Sequence, residues 1–199
     1  MGYETSAYMG RTSLFDVLEY PDTVDILFLG DSHTERADFC TLFKGKTVVH
    51  QGIGGDTSKG LLNRLSYSDR IKANVIFLEI GINDLMQGVS VDVLLQNYEN
   101  VLDSLIQSHP LSKICVETIY PIDKNFEDNA LFYVTRENIR ESNTRIIKIA
   151  QKKGCEVVDA YKMLSDDEGY LKNVYTCDGL HLTGSGYLKL KTEMDNFLN

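Results

Sequence analysis

The stretch ILFLGDSHTE, residues 26–35, decides the fold. Four large apolar residues, Ile26 to Leu29, run without interruption, and a glycine, an acid, a hydroxyl and an imidazole follow at once. An unbroken apolar run of this length fits a strand covered on both faces, the setting of a parallel sheet. The polar tip then reads in two ways: as a plain strand end with Ser32 capping the next helix, or as a rigid strand carrying a nucleophile to the rim of a sheet.

Working outward, four more β-rich runs alternate with helical stretches. Strands are expected at 24–30, 46–52, 74–81, 113–119 and 155–160, and helices at about 34–43, 57–66, 90–107, 132–153 and 184–198. In the segment 91–107, Val91, Leu94, Leu95, Tyr98, Val101, Leu102, Leu105 and Ile106 fall on one stripe of a 3.6-residue period, with Ser90 ahead of it as an N-cap. Strands alternating with helices imply βαβ units in a three-layer α/β/α sandwich. Ligands in such sheets bind at the carboxyl ends of the strands.

The totals narrow the function classes. At 199 residues with 43% hydrophobic and 25% charged side chains, the chain reads as one globular domain, with a core over about 24–198 and residues 1–23 as an N-terminal extension. A net charge of -9 and the lack of basic runs argue against nucleic-acid binding. No apolar stretch is long enough for a membrane span, and the N-terminus lacks a signal-peptide layout. Met1-Gly2 with Ser6 fits a loose acylation pattern. Cys40, Cys115, Cys155 and Cys177 lie far apart without metal-like spacing, so a reduced, cytoplasmic protein without a metal site is expected.

Each strand end carries polar residues: Asp31-Ser32 after the first, GIGGDTS (52–58) after the second, GIND (81–84) after the third, and DGLHL (178–182) before the last helix. A serine hydroxyl needs a base to become a nucleophile. His181 is the candidate base, and Asp178, on the same turn, can hold its other ring nitrogen. An acyl-transfer intermediate also needs donors at its oxyanion, for which the N–H of Ser32, a glycine N–H at Gly54-Gly55 and the Asn83 amide are candidates.

These four blocks, in this order, resemble those of the SGNH hydrolases, the GDSL-type esterases and lipases. The resemblance implies a flavodoxin-like five-stranded parallel sheet of order 2-1-3-4-5 and ester hydrolysis without metal or cofactor. It implies Ser32 as nucleophile, His181 as base, Asp178 as the orienting acid, and Ser32, Gly55 and Asn83 as the oxyanion hole. His33 stands where the motif has leucine and Gln51 where asparagine or arginine is common, which bears on substrate shape. Asp31 is expected to shape the turn, and Asp31, His33 and Gly54 to lie near the substrate. Phe126 and Tyr133, in the segment 120–133 with Tyr120 and Phe132, are a candidate substrate wall. His50 and His109 read as rim and loop residues. The expected partner is a short-acyl ester of a carbohydrate or small molecule. The alternative is a non-hydrolytic carbohydrate- or phosphate-binding module on the same fold.

Overall fold

A computed structural model of the protein describes residues 5–129 and 132–198. The Met1-Gly2 pattern lies outside the described residues. Five parallel strands form one sheet in the order β2-β1-β3-β4-β5: β1 (Thr23–Gly30), β2 (Val48–Gly52), β3 (Lys72–Glu79), β4 (Lys113–Glu117) and β5 (Glu156–Val158). The order is the one expected, and it puts β1 and β3 at the centre. Their registers align Gly30 with Gly52 on one side and with Glu79 on the other, so the polar strand ends lie level along one edge.

Period-two alternation feeds two cores. Leu27, Leu29, Ile76 and Leu78 face one layer, while Ile26, Phe28, Val75 and Phe77 face the other. The first layer is closed by α4 (Ser58–Arg64), α6 (Val91–Ser108) and α8 (Arg136–Lys152). The second is closed by α3 (Phe39–Leu42), α9 (Ala160–Leu164) and α10 (Gly184–Met194). Burying one such aliphatic side chain contributes ~1.5–3 kcal/mol, so the alternation alone fixes strand register. The stripe expected on α6 is buried as Leu94, Leu95, Tyr98, Val101, Leu102 and Leu105, and Ser90 caps it through Val93 N–H.

Several boundaries differ from the sequence reading, each for a local reason. The helix expected at 34–43 is broken: α2 (Ser32–Arg36) ends in extended Ala37, and Asp38 starts α3 afresh by accepting Thr41 N–H. The helix expected from 132 starts at Arg136 because Thr135 and Asn138 form a reciprocal capping box. Asp159 ends β5 early by capping α9. Three further short helices, α1 (Ser6–Val17), α5 (Ile82–Met86) and α7 (Lys124–Asp128), were not anticipated. The N-terminal segment packs on the domain: Tyr8 and Phe15 of α1 are buried with Ile53, and Tyr8 donates to the carbonyl of Gly60. No helix among the described residues is long and apolar enough to cross a membrane.

Candidate active site

The end of β1 turns sharply into α2. Asp31 is the N-cap, its Oδ1 accepting the N–H of His33 at 3.0 Å. Ser32 is therefore the first helical residue, and its N–H is among the four that an α-helix leaves without an internal acceptor. The side chain of Ser32 reaches the surface only partly, at 9% exposure, and Oγ lies 3.1 Å from Nε2 of His181.

His181 sits on a tight turn ahead of α10. Its Nδ1 is 2.7 Å from Oδ2 of Asp178, while Oδ1 of Asp178 accepts the backbone N–H groups of Leu180 and His181 at 3.0 and 2.7 Å. Partial burial works to raise the Asp178 pKa, but the His181 ring and these two amides outweigh it and hold the carboxyl at about 2. An ionised Asp178 fixes the imidazole with its proton on Nδ1, which leaves Nε2 free to accept from Ser32. The chain thus brings together, from residues 149 positions apart, a hydroxyl, a base and an orienting acid in hydrogen-bonded series.

The turn after β2 approaches the same point. A Cβ on Gly52 would overlap the backbone of Glu35, so only glycine lets the turn pass α2. Gly54 N–H is already engaged, donating to Glu35 Oε2 at 3.0 Å. Gly55 is exposed in a left-handed conformation, φ 78°, and of the two glycines only Gly54 has its N–H hydrogen-bonded among the described residues. Arg11 of α1 completes the clamp, 3.2 Å from Glu35 Oε1 and donating to Gly52 O.

Asn83, on α5, is placed differently from a free donor. Its Nδ2 donates to Asp31 Oδ2 at 3.1 Å and to Asp56 O at 2.9 Å, so both amide hydrogens have partners in the ligand-free protein. Asp56 is itself fixed by a buried ion pair with Arg64 at 2.7 Å, and Arg64 also donates to Gly30 O. Asp84 Oδ2 and Oδ1 accept from the N–H and hydroxyl of Ser58, tying α5 to α4 as a structural acid.

Asp31 and His33 are 0% and 1% exposed, and Tyr120 packs on the His33 ring at 4.6 Å; they lie beneath the site rather than lining it. Phe126 is brought to the His181 turn, since Asp123 N–H donates to Gly179 O and a Cβ on Gly179 would lie 3.0 Å from Phe126 Cβ. Phe126 stacks on Phe132 at 5.6 Å. Tyr133 lies further off, 73% exposed and packed over Gly88 at the end of α5. Glu35, Arg11, Arg64 and Glu79 were missed, since none has a periodic or motif-like spacing that would have marked it; Asp56 lies within the block GIGGDTS but its buried pairing with Arg64 is not encoded there.

The profile of the GDSL-like Lipase/Acylhydrolase family matches residues 28–189, from the end of β1 into the last helix. The chain belongs to this family. As a GDSL-like protein it is an ester hydrolase. It is 27% identical over 181 residues to the platelet-activating factor acetylhydrolase IB subunit alpha2 of Homo sapiens, covering 83% of this chain and 72% of that one. A solved structure from Streptococcus pneumonia, named for platelet activating factor, matches with TM-score 0.83 and 31% identity over 97% of this chain and 91% of that one. A GDSL-like lipase from Bacteroides thetaiotaomicron shares the fold, with TM-score 0.77 and 20% identity over 96% of each chain.

Proposed function

We propose that the protein is a serine esterase working through Ser32, His181 and Asp178 and a covalent acyl-enzyme, on short acyl groups such as acetyl esters of carbohydrates or small molecules. The observation that carries this is the unbroken series Asp178–His181–Ser32, with contacts of 2.7 and 3.1 Å. Ser32 Oγ attacks the ester carbonyl while Nε2 of His181 takes its proton. The charge on the tetrahedral oxygen is met by the N–H groups of Ser32 and Gly55 and by the Asn83 amide. His181 returns the proton to the leaving alcohol, and a water, deprotonated by the same nitrogen, then releases the acid.

Asn83 joins the oxyanion hole by turning one hydrogen from Asp31 to the substrate oxygen. Its bond to Asp56 O keeps the amide oriented meanwhile. A short acyl chain is supported by the acetylhydrolase relative and by the compact loops at the strand ends, α5 beginning at Ile82 directly after β3. The test is hydrolysis of p-nitrophenyl acetate through decanoate by wild type and Ser32→Ala. We expect turnover that falls with chain length and is lost in the variant, whose melting temperature stays near wild type. Wild-type activity surviving in Ser32→Ala, or no covalent labelling of Ser32 by an organophosphonate, would sink this reading.

A further inference from the structure

A sealed polar cluster lies directly under the nucleophile turn. Asp31, Glu79 and Glu117 stand at the ends of β1, β3 and β4, and all three are buried, at 0%, 1% and 2% exposure. Gly30 pairs with Glu79, and Leu78 with Val116, which sets Asp31, Glu79 and Glu117 on adjacent strands at one level. His33 closes the cluster from α2, its ring without any hydrogen bond among the described residues. Tyr120 donates to Glu117 Oε2 at 2.5 Å, and Tyr187 of α10 donates to His33 O. Tyr98 of α6 faces it from the other layer.

The electrostatics are one-sided. The charged neighbours of Asp31 are Glu79, Asp56 and Asp84, and those of Glu79 are Asp31 and Glu117; the tyrosines are neutral phenols. His33 supplies no positive charge, because burial, with His181 and Arg36 nearby, pushes its pKa down to about 3. Ligand-type atoms of Asp31, His33 and Glu79 lie within 4.8 Å of one another, yet both Glu79 oxygens are buried without a donor. An ionised Glu79 would face the carboxylate of Asp31 with no donor of its own to solvate it, which burial does not tolerate. A proton on Glu79 resolves both problems: it removes a charge and turns Glu79 into a donor.

We propose that Glu79 is a positioning residue of this esterase: it retains a proton, donates a hydrogen bond through it to Asp31, and through Asp31 fixes both the Ser32 turn and the amide of Asn83. Asp31 is the junction, since its Oδ1 holds His33 N–H and its Oδ2 holds Asn83. Neutral donation from Glu79 shares out the charge of Asp31, so that Asn83 can surrender one hydrogen to the substrate oxygen without leaving Asp31 unpaired. The inference rests on the esterase reading of Ser32 and Asn83.

The test compares Glu79→Gln, which keeps a donor and cannot ionise, with Glu79→Leu, which keeps the volume and removes the donor; Glu79→Met replaces the leucine variant should that fail to fold. Since a lost oxyanion donor costs ~10²–10³ and Glu79 acts one bond further away, we expect kcat on p-nitrophenyl acetate to fall about tenfold in the apolar variant with KM nearly unchanged. Glu79→Gln should stay within about threefold of wild type, being a donor-conserving change. The infrared spectrum of wild type minus Glu79→Gln at neutral pH should show the carbonyl band of a protonated carboxyl. An apolar variant as fast as wild type overturns the proposal, as does a difference spectrum holding only carboxylate bands. So does a Glu79→Gln variant as slow as the apolar one with chelator-sensitive wild-type activity, which would assign the missing charge to a metal ion. Failure of the esterase reading is distinct: wild type itself would then neither turn over nor be labelled at Ser32 by the organophosphonate.

Discussion

Asn83 shows how far a residue type can be read and where reading stops. Its place in GIND marks it as a candidate oxyanion donor, but the pattern is silent on its two partners, Asp31 Oδ2 and Asp56 O. These come from β1 and from the turn after β2, and no spacing along the chain encodes them. The amide is therefore held rather than free, and the proposed oxyanion role requires it to give up one of its bonds. Removing one such donor typically costs ~10²–10³ in turnover, so Asn83→Ala should lose kcat on that scale with KM little changed. Asn83→Asp should be at least as slow, because a further carboxyl would face Asp31 in place of a donor. Steady-state kinetics on p-nitrophenyl acetate check both, and an Asn83→Ala enzyme within about threefold of wild type would remove Asn83 from the oxyanion hole. The serine, histidine and aspartate were legible because they sit in short blocks whose chemistry depends on residue type alone. The buried acids were not, because a glutamate ending an apolar strand looks like the first solvent-facing residue after it.

At the scale of elements, the order of strands and the two buried layers follow from apolar runs alternating with amphipathic stripes. Short polar-capped elements did not yield to the same reading. Ala37-Asp38 breaks what looked like one helix, and Thr135 delays another by several residues, since a single capping side chain outweighs the weak propensities around it. The N-terminal helix α1 was unreadable for a different reason. Only Tyr8 and Phe15 are buried along its length, so it shows no apolar stripe. It nevertheless braces the turn after β2, through Arg11 on Glu35 and Gly52, with Glu35 in turn holding Gly54 N–H. If that clamp sets the position of the Gly54-Gly55 turn, Glu35→Ala should lower kcat about tenfold, as a partial loss of an oxyanion donor would. Glu35→Gln keeps an acceptor for Gly54 and should stay within about threefold, hydrogen bonding to a neutral partner being only modestly weaker. Parallel kinetics and melting curves separate the two effects: a Glu35→Ala protein that melts earlier yet turns over normally would make the clamp a stability feature only.

For the whole molecule, the same buried acids that lie under the site set how stability responds to pH. Burial, ahead of any other influence, raises Asp84 from 3.8 to about 6 and Glu117 from 4.5 to about 7, and pushes Glu79 well above its ordinary 4.5. In the unfolded chain these groups lose their protons near their ordinary values, whereas the folded protein keeps them until the raised ones. Between about pH 4 and pH 7 the folded state therefore binds more protons than the unfolded state, and stability falls as pH rises across that window. Two kinds of group run the other way: Asp178, held at about 2, has its contribution complete above pH 4, whereas His33, pushed by burial from 6.5 down to about 3, with His50 and His109 lowered in the same direction, offsets part of the loss in the lower half of the window, where the three acids outweigh them. A net loss of ~2 kcal/mol would lower the melting temperature by ~4–8 °C in a chain of this size. We expect melting by circular dichroism to occur several degrees higher at pH 5 than at pH 8, with the slope reduced in Glu117→Gln. An enzyme whose melting temperature rises from pH 5 to pH 8 would show that the cluster is ionised in the folded state, and that a cation rather than a proton balances it.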